Sequence, residues 1–360
     1  MTRTDVTRTG VTRHDTWSAG AAKALGAVLG AGALLLPAAR APQPGPWTGI
    51  AVAGVLAGWC LLVSAAGGTE DSGPVAFVRD RLGPGPARAA TALYFGGFAA
   101  GQAGVALGAA EFASLGDSGW RSYAIAAGVL CSAAAYAWCV PRGLSPAGRR
   151  LRLAAVLALA VSWRALGGPL PGPGSGGWTG GWAEGWAGAA LLVAVPLLFG
   201  WVGLEGAVPA VPRRRALGGT LLGIALAAAL YAVLLAPPAT AAQAPPPAAA
   251  AALGLGSAAL CWTYCRTNLQ ATATRWTELT GRTRRGGLVA AGLIALAVLA
   301  LGRAARWDLS VLLIGPGAAT AALYTLIAVA AVRRPRPQEH TDHDRSDRFR
   351  VLEGAARSAG

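Results

Sequence analysis

Charge is scarce in this sequence, and acid is scarcer. Only 13% of its 360 residues are charged, with 16 Asp or Glu against 31 Lys or Arg. The hydrophobic share is 54% and the mean hydropathy +0.47, too apolar for an ordinary soluble domain. The three histidines, His14, His340 and His343, all lie towards the ends of the chain. With none inside an apolar run, a Ser/His or Cys/His catalytic pair has no base there. No apolar run holds the clustered His, Asp or Glu that metal-dependent chemistry in a membrane needs. These absences argue against an enzyme, and no motif calls for a cofactor. Cys60, Cys131, Cys139, Cys261 and Cys265 fall within apolar runs without metal-type spacing, and they read as small buried residues rather than disulfides or ligands. The net charge of +15 would suit a nucleic-acid partner. The arginines, however, are spread between apolar runs, and no aromatic-rich basic patch of the RNA-binding type is present.

Apolar runs are what the sequence has in abundance. They predict an all-α integral membrane protein with about ten spans of about 20 residues each. The first five cover 18–41, 47–66, 87–113, 121–140 and 151–166. The second five cover 187–208, 217–236, 249–274, 286–302 and 309–332. Residues 1–17 form a Thr-Arg-rich tail, 18–332 the membrane domain with halves 18–166 and 187–332, and 333–360 a charged tail. Basic residues precede a first run that ends Ala39-Arg40-Ala41, as in a secretory signal. The many spans that follow favour an uncleaved first helix. Of the 31 basic residues, 25 fall in the tails and alternate loops of one side, with Lys23 counted in the N-terminal tail. Five lie on the other side (Arg40, Arg121, Arg164, Arg303, Arg306), and Arg266 lies inside a span. Positive residues concentrate on the cytoplasmic side. Both termini are therefore expected in the cytoplasm of a multi-pass cell-membrane protein, which requires an even number of spans. The inner loop 67–86 carries a short amphipathic helix, with Ser72 as its cap, Val75, Phe77, Val78 and Leu82 as its apolar side, and Gly83-Pro84 as its stop.

Two spans are interrupted. The first carries Gly26, Gly30 and Gly32 before Pro37. The sixth carries Pro196, Gly200, Gly203 and Gly206, with Glu205 inside it. Lipid offers no hydrogen-bond partner, so an unbroken helix is the default there, and glycine weakens it. Small residues can also serve close helix packing. Corresponding interruptions in two halves, however, point to discontinuous helices 1 and 6 of an inverted-repeat transporter. The freed N–H and C=O groups suit the carboxylate and ammonium of an amino acid zwitterion.

The residues at these places resemble the amino acid–polyamine–organocation (APC) superfamily of transporters. GAG at 30–32 followed by Pro37 is similar to that family's first-helix glycine motif. SGPVAFVRDRLG (72–83) resembles its first cytoplasmic loop, and FGWVGLE (199–205) its sixth-helix aromatic–x–aromatic–x–Gly–x–Glu motif. SAALCWTYCRTNLQATATRW (257–276) resembles its eighth helix. Within the superfamily the chain most resembles bacterial exporters of methionine and branched-chain amino acids. The resemblance implies a five-plus-five inverted repeat around one central site. The amides of Ala31 and Gly32, beside Gly30, would hold a carboxylate. The carbonyls of Val28, Phe199 and Val202 would hold an ammonium. Phe199 would be an aromatic lid, and Gly200 and Trp201 would complete the bend. The family often has a hydroxyl residue where Ala31 stands, which leaves only backbone amides for the carboxylate.

Charged residues within spans need a reason, since each costs roughly 2.5–3.5 kcal/mol on insertion scales. Glu205 is either an acceptor for freed amides or a protonatable gate. Arg266 lies where sodium-coupled relatives place small hydroxyl residues. It is expected either to act as a fixed cation bracing the first helix in place of sodium, or to reach towards the inner surface. Gln102 and Asn268 are either polar walls of the site or interhelical hydrogen-bonding residues. Apart from Glu205 no acid lies near the expected site, and the third span is small and apolar. Both features favour a neutral, apolar amino acid as substrate, moved by alternating access with proton coupling or exchange. The alternatives from other classes are a membrane channel and a non-transporting scaffold.

Overall fold

The computed structural model describes residues 17–38, 46–67, 73–116, 119–165, 194–208, 214–235 and 246–333. The terminal tails, Arg40, Ser72, the outer loop 169–177, residues 237–245 and the first part of the sixth span (187–193) lie outside the described residues.

Helices account for nearly everything described, and no strand occurs among those residues. In chain order they are α1 (Trp17–Val28), α2 (Gly32–Ala38), α3 (Pro46–Ala65), α4 (Gly73–Leu82), α5 (Pro84–Ala113), α6 (Trp120–Cys139), α7 (Pro146–Ala165), α8 (194–199), a 3-10 turn (Leu204–Gly206), α9 (Arg214–Leu235), α10 (Pro247–Thr280), α11 (Arg284–Ala304) and α12 (Leu309–Val332). Five of them, in α6, α9, α10, α11 and α12, are long and apolar enough to cross a membrane, and α3 adds a shorter apolar stretch, Gly49–Ala65. Large apolar side chains stand exposed on their outer faces, among them Val55, Leu226, Val233, Leu293 and Leu301. So many would leave a soluble protein with unexplained apolar patches. They suit a membrane-embedded one.

The core sits around α5. Every residue from Gly101 to Phe112 is buried, because this helix is covered on all sides by α10, α12, α11 and α6. At 30 and 34 residues, α5 and α10 span about 45 and 51 Å, more than the roughly 30 Å of a hydrocarbon core. Small residues let the neighbours close in. A Cβ at Gly97 would stand 2.7 Å from Ala319 Cβ, and one at Gly104 2.9 Å from Leu313 Cδ2. The same device joins α1 to α9, where a Cβ on Gly219 would fall 2.3 Å from the carbonyl oxygen of Trp17.

The short helix expected within 67–86 is α4, with Phe77 and Val78 buried. Arg81 stacks over Phe77, 5.3 Å from the ring centroid. Its guanidinium donates to the carbonyls of Ala66 and Arg333, so this helix clamps the end of α3 to the end of α12.

Not all five cysteines are buried. Cys60, Cys261 and Cys265 are, but Cys131 and Cys139 are exposed on α6. An apolar run does not distinguish the face turned to the core from the face turned to lipid, and both residues fall on the outer one.

Candidate functional site

The first helix stops at Val28 and restarts at Gly32. Between them Gly30 N–H turns back to the Val28 carbonyl at 2.8 Å, and Leu34 and Leu35 donate to the Ala31 carbonyl at 3.0 and 2.9 Å. The N–H groups of Ala31 and Gly32 point out of the new helix start, with no backbone acceptor among the described residues. That is what the first turn of a helix must leave over. The second interruption is tighter. Gly200, Trp201 and Val202 donate to Leu197, Leu198 and Phe199 in successive three-residue turns of 3.0, 3.0 and 3.3 Å. Gly203 then takes φ +106°, the left-handed region in which L side chains are strained, and the 3-10 turn follows.

The two interruptions touch. A Cβ built on Gly32 would lie 2.7 Å from Gly200 Cα, and one on Gly200 2.9 Å from the Tyr231 hydroxyl. Three tyrosine hydroxyls stand within reach of carbonyls at the breaks. Tyr231 reaches the carbonyls of Val28 (3.3 Å) and Gly200 (3.4 Å), and Tyr264 donates to Leu29 at 3.2 Å. Tyr324 stands 2.9 Å from both the Trp201 carbonyl and Glu205 Oε2. Glu205 Oε2 also accepts the Gly203 N–H at 3.0 Å. The buried carboxyl thus tethers the left-handed turn of one helix to α12. Trp59 continues the chain, stacked 4.6 Å from Tyr324 and donating to its carbonyl.

A cavity of about 190 Å³ opens beside the crossing. Val28, Gly30, Ala31, Gly32, Phe199, Gly200, Val202, Gln102 and Asn268 all line it. Phe199 closes one wall, its Cε2 2.8 Å from where a Cβ on Gly101 would be. Gln102 Nε2 donates to the Phe98 carbonyl at 2.9 Å, which assigns the other end of the amide as the carbonyl, and that oxygen is buried without a partner. Trp201 is not on the cavity. It is buried and tilted against Tyr231, centroids 5.9 Å apart. Glu205 lines a separate small cleft with Tyr94 and Tyr324.

Two expectations change at this level of detail. Val28 is a poorer seat for an ammonium, because its carbonyl already accepts from Gly30 N–H, and the single Tyr231 hydroxyl proton, shared with the Gly200 carbonyl, competes for its second lone pair. Arg266 does not brace the first helix. Its Nη2 donates to the Arg142 carbonyl at 2.8 Å, and its guanidinium lies 4.6 Å over the Tyr136 ring. The reason is helical phase. Tyr264 and Asn268 share the α10 face turned to the cavity, and a residue two positions from either stands about 200° round the helix.

Among the described residues Arg152 is a cation that lines the cavity beside the first break. It lies over Tyr264, 4.0 Å from the ring centroid, donates to Thr267 Oγ1 at 2.9 Å, and lines the cavity. In the sequence it reads as one more basic residue of an inner loop. The only signal against that reading is that the helix begins at Pro146, which sets Arg152 within its second turn. Arg152 also lines a larger vestibule of about 860 Å³ with Lys23, Arg149 and Arg150. Gly26, Ala27, Gly203 and Tyr264 border both spaces, so the central cavity opens towards the arginine-rich end. Among the described residues no group of three His, Cys, Asp or Glu is placed to hold a metal ion. No protein-family model and no curated protein matches the chain.

Proposed function

We propose that this protein is a secondary-active amino acid carrier of the APC type, with ten spans in a five-plus-five inverted repeat, seen open to the cytoplasm. Its substrate is a neutral, apolar amino acid, moved by alternating access with proton coupling or exchange. The observation that carries the reading is the meeting of two helix breaks at Gly32 and Gly200 beside a cavity. Beside that cavity lie groups that suit a zwitterion: the unused N–H groups of Ala31 and Gly32 for a carboxylate, and the side-chain amide of Gln102, a lining residue whose buried oxygen has no partner, for an ammonium. Phe98, Phe199 and Pro316 supply an apolar wall. Arg152 disfavours a cationic side chain by repulsion and takes the fixed-cation role that is one of the two readings of Arg266. Amides at a helix start suit an anion.

Counterflow in proteoliposomes tests this. Saturable exchange of a neutral apolar amino acid, unaffected by sodium, is expected. Conductance without saturation would mean a channel. Absence of both flux and ligand-induced stabilisation would leave a scaffold. Competition by basic amino acids or polyamines alone would remove the substrate class. Sodium-stimulated uptake would remove the fixed cation.

Gln102→Leu should separate binding from folding. A hydrogen bond to a charged group contributes about 1.5–3 kcal/mol, so substrate affinity should fall about 10- to 100-fold. Removing an unpartnered buried oxygen should leave the ligand-free unfolding temperature unchanged or raised. Titration by calorimetry and a ligand-free melt check the two signs.

A further inference from the structure

A second binding surface lies away from the helix breaks. Between α6 and α11, both long and apolar enough to cross a membrane, runs a groove of about 250 Å³. Cys131, Ala134 and Trp138 form one bank, and Leu288, Gly292 and Leu296 the other. Nothing within 4 Å occupies the space above Gly292. The small residues Ala134 and Gly292 hollow the groove out, while Trp138 and Val289 stay half exposed. From Leu288 to Leu296 it extends about 12 Å at 1.5 Å per residue, close to the roughly 15 Å depth of one leaflet's hydrocarbon.

One end is charged. Arg285 lies over the Trp138 ring, 4.9 Å from its centroid, and Arg284 Nη2 donates to the Pro141 carbonyl at 3.4 Å. Neither arginine is in an ion pair among the described residues. Both begin α11, where the helix dipole adds to their positive potential instead of relieving it. An anion at this spot neutralises that potential, and a chain lying below it fills the apolar groove.

We propose that the α6–α11 groove binds one anionic phospholipid, its phosphate on Arg284 and Arg285 and an acyl chain between Trp138 and Leu296. The site does not depend on what the central cavity carries. The occupant is a lipid and not a peptide helix or a second copy, because the groove is narrow, its lining is apolar, its length matches a leaflet and its charge sits at one end only.

The test is the unfolding temperature of the full-length protein in detergent, with phosphatidylglycerol or phosphatidylcholine added. Phosphatidylglycerol should stabilise by at least about 2–4 °C more than phosphatidylcholine, as a ligand that binds only the folded state does. Inorganic phosphate should give no shift. Arg284→Gln with Arg285→Gln should remove the difference between the two lipids. Gly292→Leu should reduce stabilisation by both. Its Cβ enters open space and leucine is the better helix former, so the lipid-free variant should melt no lower than the parent. Equal stabilisation by both lipids would overturn the proposal, as would a phosphatidylglycerol effect that survives both variants. A lipid-excluding dimer cross-linked through the exposed Cys131 would also overturn it.

Discussion

Glu205→Ala should destabilise the protein by about 1–3 kcal/mol, while Glu205→Gln should leave it folded. The alanine strands the Gly203 N–H, which Oε2 accepts at 3.0 Å, while the Tyr324 hydroxyl, 2.9 Å from Oε2, keeps the Trp201 carbonyl, also at 2.9 Å, as its acceptor. An unpartnered buried donor costs about 1–3 kcal/mol. Glutamine keeps an acceptor oxygen at the same reach. The pair therefore separates the two roles open to this residue. If Glu205 only ties the sixth-span turn to α12, Glu205→Gln transports with an unchanged pH profile. If it carries the coupled proton, the glutamine variant folds, binds substrate and loses the pH dependence of flux. Chemical unfolding measures the first effect, and proteoliposome uptake across a pH series the second.

The crossing of the two breaks carries the other large effect. Gly32→Val and Gly200→Val should each fold into the membrane yet bind substrate about 10- to 100-fold more weakly. A Cβ on Gly32 would have only 2.7 Å to the Gly200 Cα, a backbone atom that cannot rotate away. Overpacking of this kind costs typically about 1–3 kcal/mol, and each 1.4 kcal/mol is tenfold in affinity. The displaced groups are the Ala31 and Gly32 amides themselves. Gly54→Val on α3 is the control, because a Cβ there meets nothing within 4 Å and the residue is exposed away from the cavity. Near-parental affinity in Gly32→Val would mean that the crossing plays no part in the site.

Much of the backbone was legible. The apolar runs 47–66, 121–140 and 309–332 correspond to Pro46–Ala65, Trp120–Cys139 and Leu309–Val332, because chain length against bilayer thickness is a one-dimensional constraint. Both interruptions were legible for a similar reason, since glycine and proline act on their own backbone. The side chains that finish the site were not. Tyr231 and Tyr324 lie in ordinary-looking stretches of α9 and α12, Tyr264 lies inconspicuously within the 257–276 segment of α10, and only packing brings their hydroxyls to carbonyls up to 235 residues away. Gln102 could be read as a wall residue or as glue between helices. Its carbonyl being orphaned follows from which neighbours surround α5.

Arginine marks the boundary between the two kinds of information. Where arginines fall along the chain predicts a topology, because crossing a bilayer depends on the charge of each loop and hardly on its contacts. The sequence alone therefore settled an apolar, helical, membrane-type chain broken at Gly30–Gly32 and Gly200–Gly203. Which arginine faces the site was decided only in three dimensions. A residue's direction depends on the rotation of its helix, and that rotation is set by the packing of α7 and α10 against their neighbours. Arg152 was thereby turned over Tyr264 at the cavity, and Arg266 towards Tyr136 on the far side.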